Sequence, residues 1–157
     1  MRLDGAAIEQ LYRSHGHVVL RRARLLMGSE PEAQEALQEV FAALLREPAS
    51  VGTSAVGWLY RATTHFCLNQ LRNRRTGARL LEAAPPQNVE AASAEMLAEV
   101  RSLLSRLPPE VAAAAVYHHV DGMTHTEVAG LLGCSRRQVG YLLERARQQA
   151  AGAEKSA

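Results

Sequence analysis

The sequence has 157 residues, of which 47% are hydrophobic and 22% charged, and its formal net charge is +2. This composition is typical of one ordinary domain or two small ones, and it excludes an intrinsically disordered protein. No apolar run approaches the ~20 residues of a membrane-spanning helix, and the first residues lack a signal peptide's apolar stretch, so we expect a cytoplasmic protein without membrane insertion.

Apolar residues recur at helical spacing, and no segment alternates polar and β-branched residues, so we predict an all-α protein. The first helix is predicted from Gly5 to Met27. The second is predicted to begin at Ser29, in a capping box with Glu32, and to end before Pro48. Its outer face is predicted to be acidic and contains Glu30, Glu35, Gln38 and Glu39.

Basic residues are unevenly distributed along the chain. The stretch from Pro48 to Leu81 contains five arginines and no acidic residue. A third helix is predicted from a Ser54 cap to about Arg75. One of its faces carries Arg61, His65, Asn69 and Arg72. We expect this face to bind a polyanion; an ordinary solvated surface is the alternative that stays open.

A linker is predicted at residues 82–92, which carry adjacent prolines and lose helical periodicity. It separates an N-terminal domain, residues 1–81, from a C-terminal domain, residues 93–157. The latter is predicted to begin with a helix from Ser93 to Ser105 and to continue with one from Pro109 to about Val120. In the helix from Ser93 to Ser105, the apolar residues available for packing are Met96, Val100, Leu103 and Leu104.

The end of the chain has the pattern of a helix-turn-helix. Thr124 and Glu127 form a predicted capping box for a short helix that ends at Gly133, and Ser135 is predicted to cap the last helix. The apolar stripe of that helix is Val139, Leu142, Leu143 and Ala146. Such a pair can present the start of its second helix to the DNA major groove, whereas a simple packing unit is the alternative.

Catalytic and metal-binding patterns are weak in this sequence. No Gly-rich phosphate loop, nucleophile elbow or paired-carboxylate signature occurs, so we expect no catalysis and no cofactor. His118, His119 and His125 suggest a zinc site, but adjacent histidines diverge on a helix, so no metal is expected. Cys67 and Cys134 are expected to be reduced thiols.

Three blocks of the sequence carry a resemblance to a known family. Residues 35–41, Glu-Ala-Leu-Gln-Glu-Val-Phe, resemble the Asp-Ala-x-Gln-Glu-Val-Phe signature in region 2 of the extracytoplasmic-function (ECF) sigma factors of the sigma-70 family. Residues 58–62, Trp-Leu-Tyr-Arg-Ala, followed by Asn-x-Leu-Arg at 69–72, resemble the family's tryptophan-led promoter helix. Residues 107–110, Leu-Pro-Pro-Glu, and the stretch 121–135 are similar to region 4.

The resemblance implies a region 2 three-helix bundle and a region 4 helix-turn-helix bundle that bind core RNA polymerase and promoter DNA. The polymerase-binding residues it implies are Glu35, Gln38 and Glu39. Those of region 2 for the start-proximal element are Ser50, Thr53, Ser54, Arg61, His65, Asn69, Arg72 and Arg75. Those of region 4 for the upstream element are Thr124, Ser135, Arg136, Arg137, Tyr141 and Arg145.

The resemblance also implies a mode of regulation, and the recognition helix departs from the family's pattern at three positions. Proteins of this family are commonly held inactive by an anti-sigma factor, and we expect the free chain to be monomeric. Gly140, which costs ~1 kcal/mol in a helix, and Tyr141 and Glu144 depart from the family's pattern in the recognition helix. They keep open a second hypothesis, an accessory regulator that binds DNA or polymerase without opening promoters.

Overall fold

This computed structural model describes the backbone of residues 3–48, 54–77 and 91–156, and their side chains except those of 75–77, 91–93 and 153–156. The predicted linker therefore lies outside the described residues, except Ala91 and Ala92, which belong to a helix. Within the described ranges the regular structure is helical, without a β-strand. None of these helices combines the length and the apolar character needed to cross a bilayer.

The N-terminal helices form a three-helix bundle. They are α1, Gly5–Met27, α2, Glu30–Arg46, and α3, Ala55–Gly77. Each helix begins where a polar side chain accepts a backbone N–H of the first turn, which satisfies one of the donors left free at a helix start. These capping residues are Asp4, Ser29 and Ser54.

Glu32 departs from its predicted role. The Ser29 hydroxyl accepts the Glu32 N–H at 3.5 Å, as a capping box requires. The Glu32 carboxylate, however, pairs with the guanidinium of Arg74 at the far end of α3. Glu32 therefore forms an ion pair between α2 and α3, whereas the sequence predicted a local hydrogen bond to the Ser29 N–H.

The C-terminal part contains four α-helices and a π-helical turn among the described residues. They are α4, Ala91–Arg106, α5, Pro109–Ala115, the π-helical turn Val116–Val120, α6, His125–Leu132, and α7, Arg136–Ser156. The helix predicted from Pro109 to Val120 is thus present, but its last turn is wider than an α-helical one. Such turns interrupt α-helices at single sites and often mark functional positions.

The two parts of the molecule share a hydrophobic core. One cluster lies within the bundle and includes Phe41 and Leu44. A second, larger cluster joins bundle residues such as Leu71 to Val111 of α5 and Val139 of α7. The C-terminal helices therefore pack directly on the bundle.

The packing predicted for α4 is wrong at two positions. Leu104, near its C-terminal end, is buried, but Met96 and Val100 are 65% and 39% exposed. The N-terminal turns of α4 extend past the core, so helical spacing alone could not show which apolar residues of this helix are covered.

Candidate nucleic-acid interface

The helix-turn-helix predicted from the sequence is present as α6 and α7. The capping box is complete, because the Glu127 N–H donates to Thr124 Oγ1 at 3.1 Å and the Thr124 N–H donates to Glu127 Oε1 at 3.2 Å. Gly133 ends α6 with φ 69°, a conformation that favours glycine. The Ser135 hydroxyl then caps α7 by accepting the Gln138 N–H at 3.0 Å. Local hydrogen bonds thus fix both ends of the turn.

Packing fixes which side of α7 faces solvent. The predicted apolar stripe is buried in full, with Val139 at 0% and Leu143 at 9% exposure. This stripe lies against α5 and α6. The opposite face of α7 is therefore left to solvent.

All the residues predicted for the upstream promoter element are exposed. Arg137, Tyr141 and Arg145 follow one another at spacings of four, so they form one line along α7, and Tyr141 is 66% exposed. The six predicted residues, all of them exposed, are Thr124, Ser135, Arg136, Arg137, Tyr141 and Arg145. An arginine at the start of such a helix can pair with a guanine edge through two hydrogen bonds.

Glu144 weakens the positive potential of α7 less than its charge suggests. Arg147 donates two hydrogen bonds to its carboxylate, at 2.6 and 3.0 Å. These bonds lower the pKa of Glu144. The negative charge is therefore neutralised locally, and Arg136, Arg137 and Arg145 still give the helix a net basic surface.

The basic face of α3 is formed as predicted, but the C-terminal part covers one end of it. His65 and Asn69 are exposed, whereas Arg61 and Arg72 are half-buried. The Arg72 guanidinium donates to the Leu107 carbonyl, just before α5, at 3.2 Å. Desolvation and, to a smaller extent, the positive charge of Arg61 lower the pKa of His65.

Other residues assigned to the start-proximal element are only partly described. Ser50 and Thr53 lie outside the described residues, and Arg75 belongs to α3 without a described side chain. Ser54 is exposed, and its hydroxyl accepts the Gly57 N–H at 3.0 Å. In this structure Ser54 therefore acts as the cap of α3.

The residues assigned to polymerase binding lie together on α2. Glu35, Gln38 and Glu39 are exposed, on the side away from the buried stripe of this helix. Glu30, which the sequence places on the same acidic face, is held by two hydrogen bonds from Arg24 at 2.6 and 2.9 Å. We call Glu35, Gln38 and Glu39 the α2 surface.

Arg22 is an important residue that the sequence analysis missed. It lies in α1 and is only 8% exposed. Its guanidinium donates to both carboxylate oxygens of Asp121, which follows the π-helical turn, at 2.6 and 2.8 Å. One signal could have identified it: an arginine between Val19 and Leu26 in the apolar stripe of α1 is expected to be buried and therefore paired.

The histidines do not form a metal site. The ring of His118 meets those of His119 and His125 in T-shaped, edge-to-face contacts, with centroid distances of 4.9 and 5.0 Å. Among the side chains that the structure describes, no three His, Cys, Asp or Glu residues are arranged to hold a metal ion. Cys67 and Cys134 are free thiols. Burial raises the pKa of Cys67 to about 12, which makes this thiol unreactive.

Two family models match the chain. The model "Sigma-70 region 2" matches residues 11–76, and "Sigma-70, region 4" matches residues 97–149. Two solved structures share the fold. CnrH, solved in complex with the cytosolic domain of CnrY, is 24% identical with a TM-score of 0.58, covering 98% of this chain and 90% of CnrH. The sigma factor RpoE of Bartonella quintana, solved with the anti-sigma factor NepR, is 16% identical with a TM-score of 0.59, covering 94% and 96%.

Curated relatives carry the same family name. The ECF RNA polymerase sigma factor SigE of Mycolicibacterium smegmatis is 29% identical over 154 residues, which is 90% of this chain but 59% of SigE. The ECF RNA polymerase sigma factor SigM of Mycobacterium tuberculosis is 31% identical over 151 residues, which is 94% of this chain and 77% of SigM. The chain belongs to the ECF sigma factors of the sigma-70 family.

Proposed function

We propose that this protein binds core RNA polymerase and directs it to specific promoters, where transcription begins. Residues 1–81 would act as region 2 and residues 93–157 as region 4, joined by a linker at about 82–92. Because the polymerase and its DNA are cytoplasmic, the proposal places the protein in that compartment. Catalysis then belongs to the polymerase, and this chain supplies recognition.

One observation carries the proposal: a single chain presents an exposed, basic helix-turn-helix and, on another helix, the exposed α2 surface. A DNA-binding protein that acts alone needs only the former. The α2 surface consists of two carboxylates and an amide, which suit a basic or hydrogen-bonding protein partner. The names of SigE and SigM support this combination over an accessory regulator.

Each surface has a distinct task in the proposal. On α7, Arg137 and Tyr141 would read the upstream element, and Arg145 would contact its phosphates. The α3 face would hold the start-proximal strand, with arginines on phosphates and His65 against the bases. The segment from residue 49 to Ser54 would receive a base extruded from the duplex, whose unstacking costs a few kcal/mol.

Reconstituted transcription tests the function. The purified protein and core RNA polymerase are incubated with genomic fragments, and we expect transcripts from defined start sites and permanganate-reactive thymines near them. Absence of any complex with core polymerase would refute the proposal. A complex that leaves the thymines paired would support the accessory regulator instead.

A matched pair of variants tests the α2 surface. Gln38→Ala with Glu39→Ala removes an adjacent amide and carboxylate from α2 and should lower polymerase affinity at least tenfold, about 1.4 kcal/mol. Glu9→Ala with Gln10→Ala removes the same two groups from an exposed site on α1 and should leave affinity unchanged. Equal effects of the two double variants would show that polymerase does not bind this surface.

An anti-sigma factor is a further proposed partner. The support is membership of the family and the shared fold of RpoE, which was solved with NepR. The protein would be isolated from its source with a tag, and co-purifying proteins would be assayed for loss of polymerase binding. A partner that leaves polymerase binding intact would not be such an inhibitor.

A further inference from the structure

Tyr141 is an exposed aromatic residue on a helix whose other large apolar side chains are buried. It is 66% exposed, whereas Val139, Leu142 and Leu143, the other large apolar side chains that the structure describes on α7, are at most 9% exposed. Aromatic residues and arginines are enriched where proteins bind their partners. The Tyr141 ring contributes little to the core of the protein and is available to a partner.

The neighbours of Tyr141 favour a DNA duplex as that partner. Arg137 lies one turn before it and Arg145 one turn after it, on one line along α7. Long side chains on a helix point back towards its N-terminus, which directs the Tyr141 ring to the turn of Arg137. In a helix-turn-helix this end of the second helix enters the major groove. The ring therefore belongs to the positions that reach base edges.

The tyrosine side chain can distinguish one feature of the major groove. Its hydroxyl is both a donor and an acceptor, so it can bond to base edges of either kind and does not discriminate between them. The ring is apolar, and the one apolar group that base pairs present in the major groove is the 5-methyl group of thymine. Burial of one methyl group contributes a factor of about four in affinity.

The fold does not require a glycine at the neighbouring Gly140. Its φ is not positive, and a Cβ atom there would meet nothing within 4 Å. Glycine is unfavourable inside a helix, but it allows a backbone to approach a ligand closely. Gly140 lies one turn after Arg136 and directly before Tyr141. The missing side chain therefore leaves room for a duplex beside the Tyr141 ring.

We propose that the Tyr141 ring packs on the 5-methyl group of one thymine in the upstream element, and that Gly140 lets α7 approach the groove closely enough for this contact. The inference rests on the proposed function and adds the base chemistry that this position selects. Four helical residues advance about 6 Å and one base pair about 3.4 Å. Arg137 then reads a base pair one or two steps from that thymine.

Replacement of thymine by uracil removes only the 5-methyl group and tests the contact directly. Promoter duplexes selected by the protein with core RNA polymerase carry uracil at one thymine of the upstream element at a time, and the dissociation constant of each complex is measured. One replacement should weaken the wild-type complex about fourfold. Tyr141→Phe keeps the ring and should show the same loss. Tyr141→Ala should bind the thymine and uracil duplexes of that position equally.

Gln148→Ala is the matched control, because this exposed residue lies two turns beyond Tyr141 on the same side of α7 and should keep the full dependence on the methyl group. Since Tyr141 is exposed, its variants should unfold at the wild-type urea midpoint. A wild-type complex that is indifferent to uracil at every position overturns the proposal. A Tyr141→Ala complex that keeps the wild-type pattern overturns it too.

Gly140→Ala gives an independent readout, because stability and binding should respond in opposite directions. The added methyl group should not destabilise α7, but it should collide with the duplex and weaken binding about tenfold, as overpacking does. Gly130→Ala is the control: its Cβ also meets nothing within 4 Å, and it lines a groove between α6 and α3 with Tyr60. Equal affinity of Gly140→Ala and the wild type would contradict the close approach.

Failure of this contact is distinguishable from failure of the proposed function. If the chain does not bind core polymerase, the proposed function fails, and the uracil scan is made on duplexes that the free chain selects from a random pool. If the chain binds no duplex in either form, the thymine contact is overturned as well. If the polymerase complex starts transcription but ignores the methyl groups, this inference alone is lost.

Discussion

Gly28 and Arg101 are in direct contact: a Cβ atom on Gly28 would lie 2.5 Å from Arg101 Cζ. Gly28 ends α1 with φ 70°, and Arg101 comes from α4 to donate to the carbonyl of Leu25 in the last turn of α1. Two features therefore require glycine at this position: the left-handed backbone conformation and the close approach of the Arg101 guanidinium. The end of α1 is part of the contact between the two halves of the chain.

Gly28→Ala should destabilise the protein by about 2–3 kcal/mol, since the left-handed conformation costs about 1–2 kcal/mol and the guanidinium must also move. Chemical unfolding measures the change. Gly122→Ala is the matched control: its φ is 68°, and a Cβ there meets nothing within 4 Å. It should lose only the conformational contribution.

A double-variant cycle isolates the contact itself. In an Arg101→Ala background, Gly28→Ala should cost no more than Gly122→Ala does. An equal cost of Gly28→Ala with and without Arg101 would show that the guanidinium does not restrict this position.

Gly140→Ala should stabilise the protein by about 1 kcal/mol, because alanine favours a helix interior by that amount. The added Cβ meets nothing within 4 Å, and the backbone of this residue is not left-handed. Urea unfolding would show the gain. Gly130→Ala in α6, where the Cβ also meets nothing within 4 Å, is a comparison of the same kind. Loss of stability in Gly140→Ala would show that a methyl group at this position does collide with its surroundings.

Arg137→Ala and Arg145→Ala should weaken upstream-element binding in different ways. A side chain that pairs with a base edge contributes about 1–3 kcal/mol, and its loss relaxes preference at one base pair. Arg145, further along the helix, should contact phosphate, so its loss should reduce the salt dependence of binding by about one counterion and leave preference intact. Binding titrations at several salt concentrations, against the consensus and single-base variants, would distinguish the two.

Arg147→Ala serves as the reference for both variants. Its guanidinium is already bonded to Glu144, so its loss should have the smallest effect on binding. If Arg147→Ala weakened binding as much as Arg137→Ala, the assignment of roles along α7 would be wrong.

Stability in acid should depend on Glu30. The hydrogen bond from Arg24 lowers the pKa of Glu30 to about 2 from an ordinary value of 4.5. A carboxyl group with a lowered folded pKa stabilises the fold above its unfolded pKa, and this contribution is lost as the pH falls towards 2. Glu30→Gln should therefore flatten the pH dependence of stability between these values, as measured by urea midpoints. Glu99→Gln, at another exposed glutamate, controls for the loss of one surface carboxylate, and parallel curves for wild type and Glu30→Gln would contradict the expectation.

Much of the local structure was predictable from the sequence, because local interactions determine it. The Thr124 capping box, the left-handed Gly133 and the Ser135 cap each involve residues within four positions of one another. Their geometry follows from residue types and spacing. The same holds for the stripe from Val139 to Ala146, whose burial was predicted from helical periodicity.

The exposed residues of the candidate site were predictable for a related reason. Arg137 and Tyr141 share a face of α7 whatever the rest of the chain does, and Glu35 and Gln38 likewise lie off the apolar stripe of α2. Helical geometry orders residues around an axis. It does not show which helices cover one another, and this is why the exposure of Met96 was not predicted.

The sequence alone determined that the described part of the chain is helical, where most of its helices begin and end to within about two residues, and which residues share each face, since these features depend on interactions over three or four residues. Only the tertiary structure decided that Arg22 pairs with Asp121, that Arg72 is held by Leu107 and that Glu32 pairs with Arg74 instead of completing its cap. These contacts join residues 35 to 99 positions apart. Long-range pairing depends on how whole helices pack, and the cost of burying a charge selects the packing in which each buried charge finds its partner.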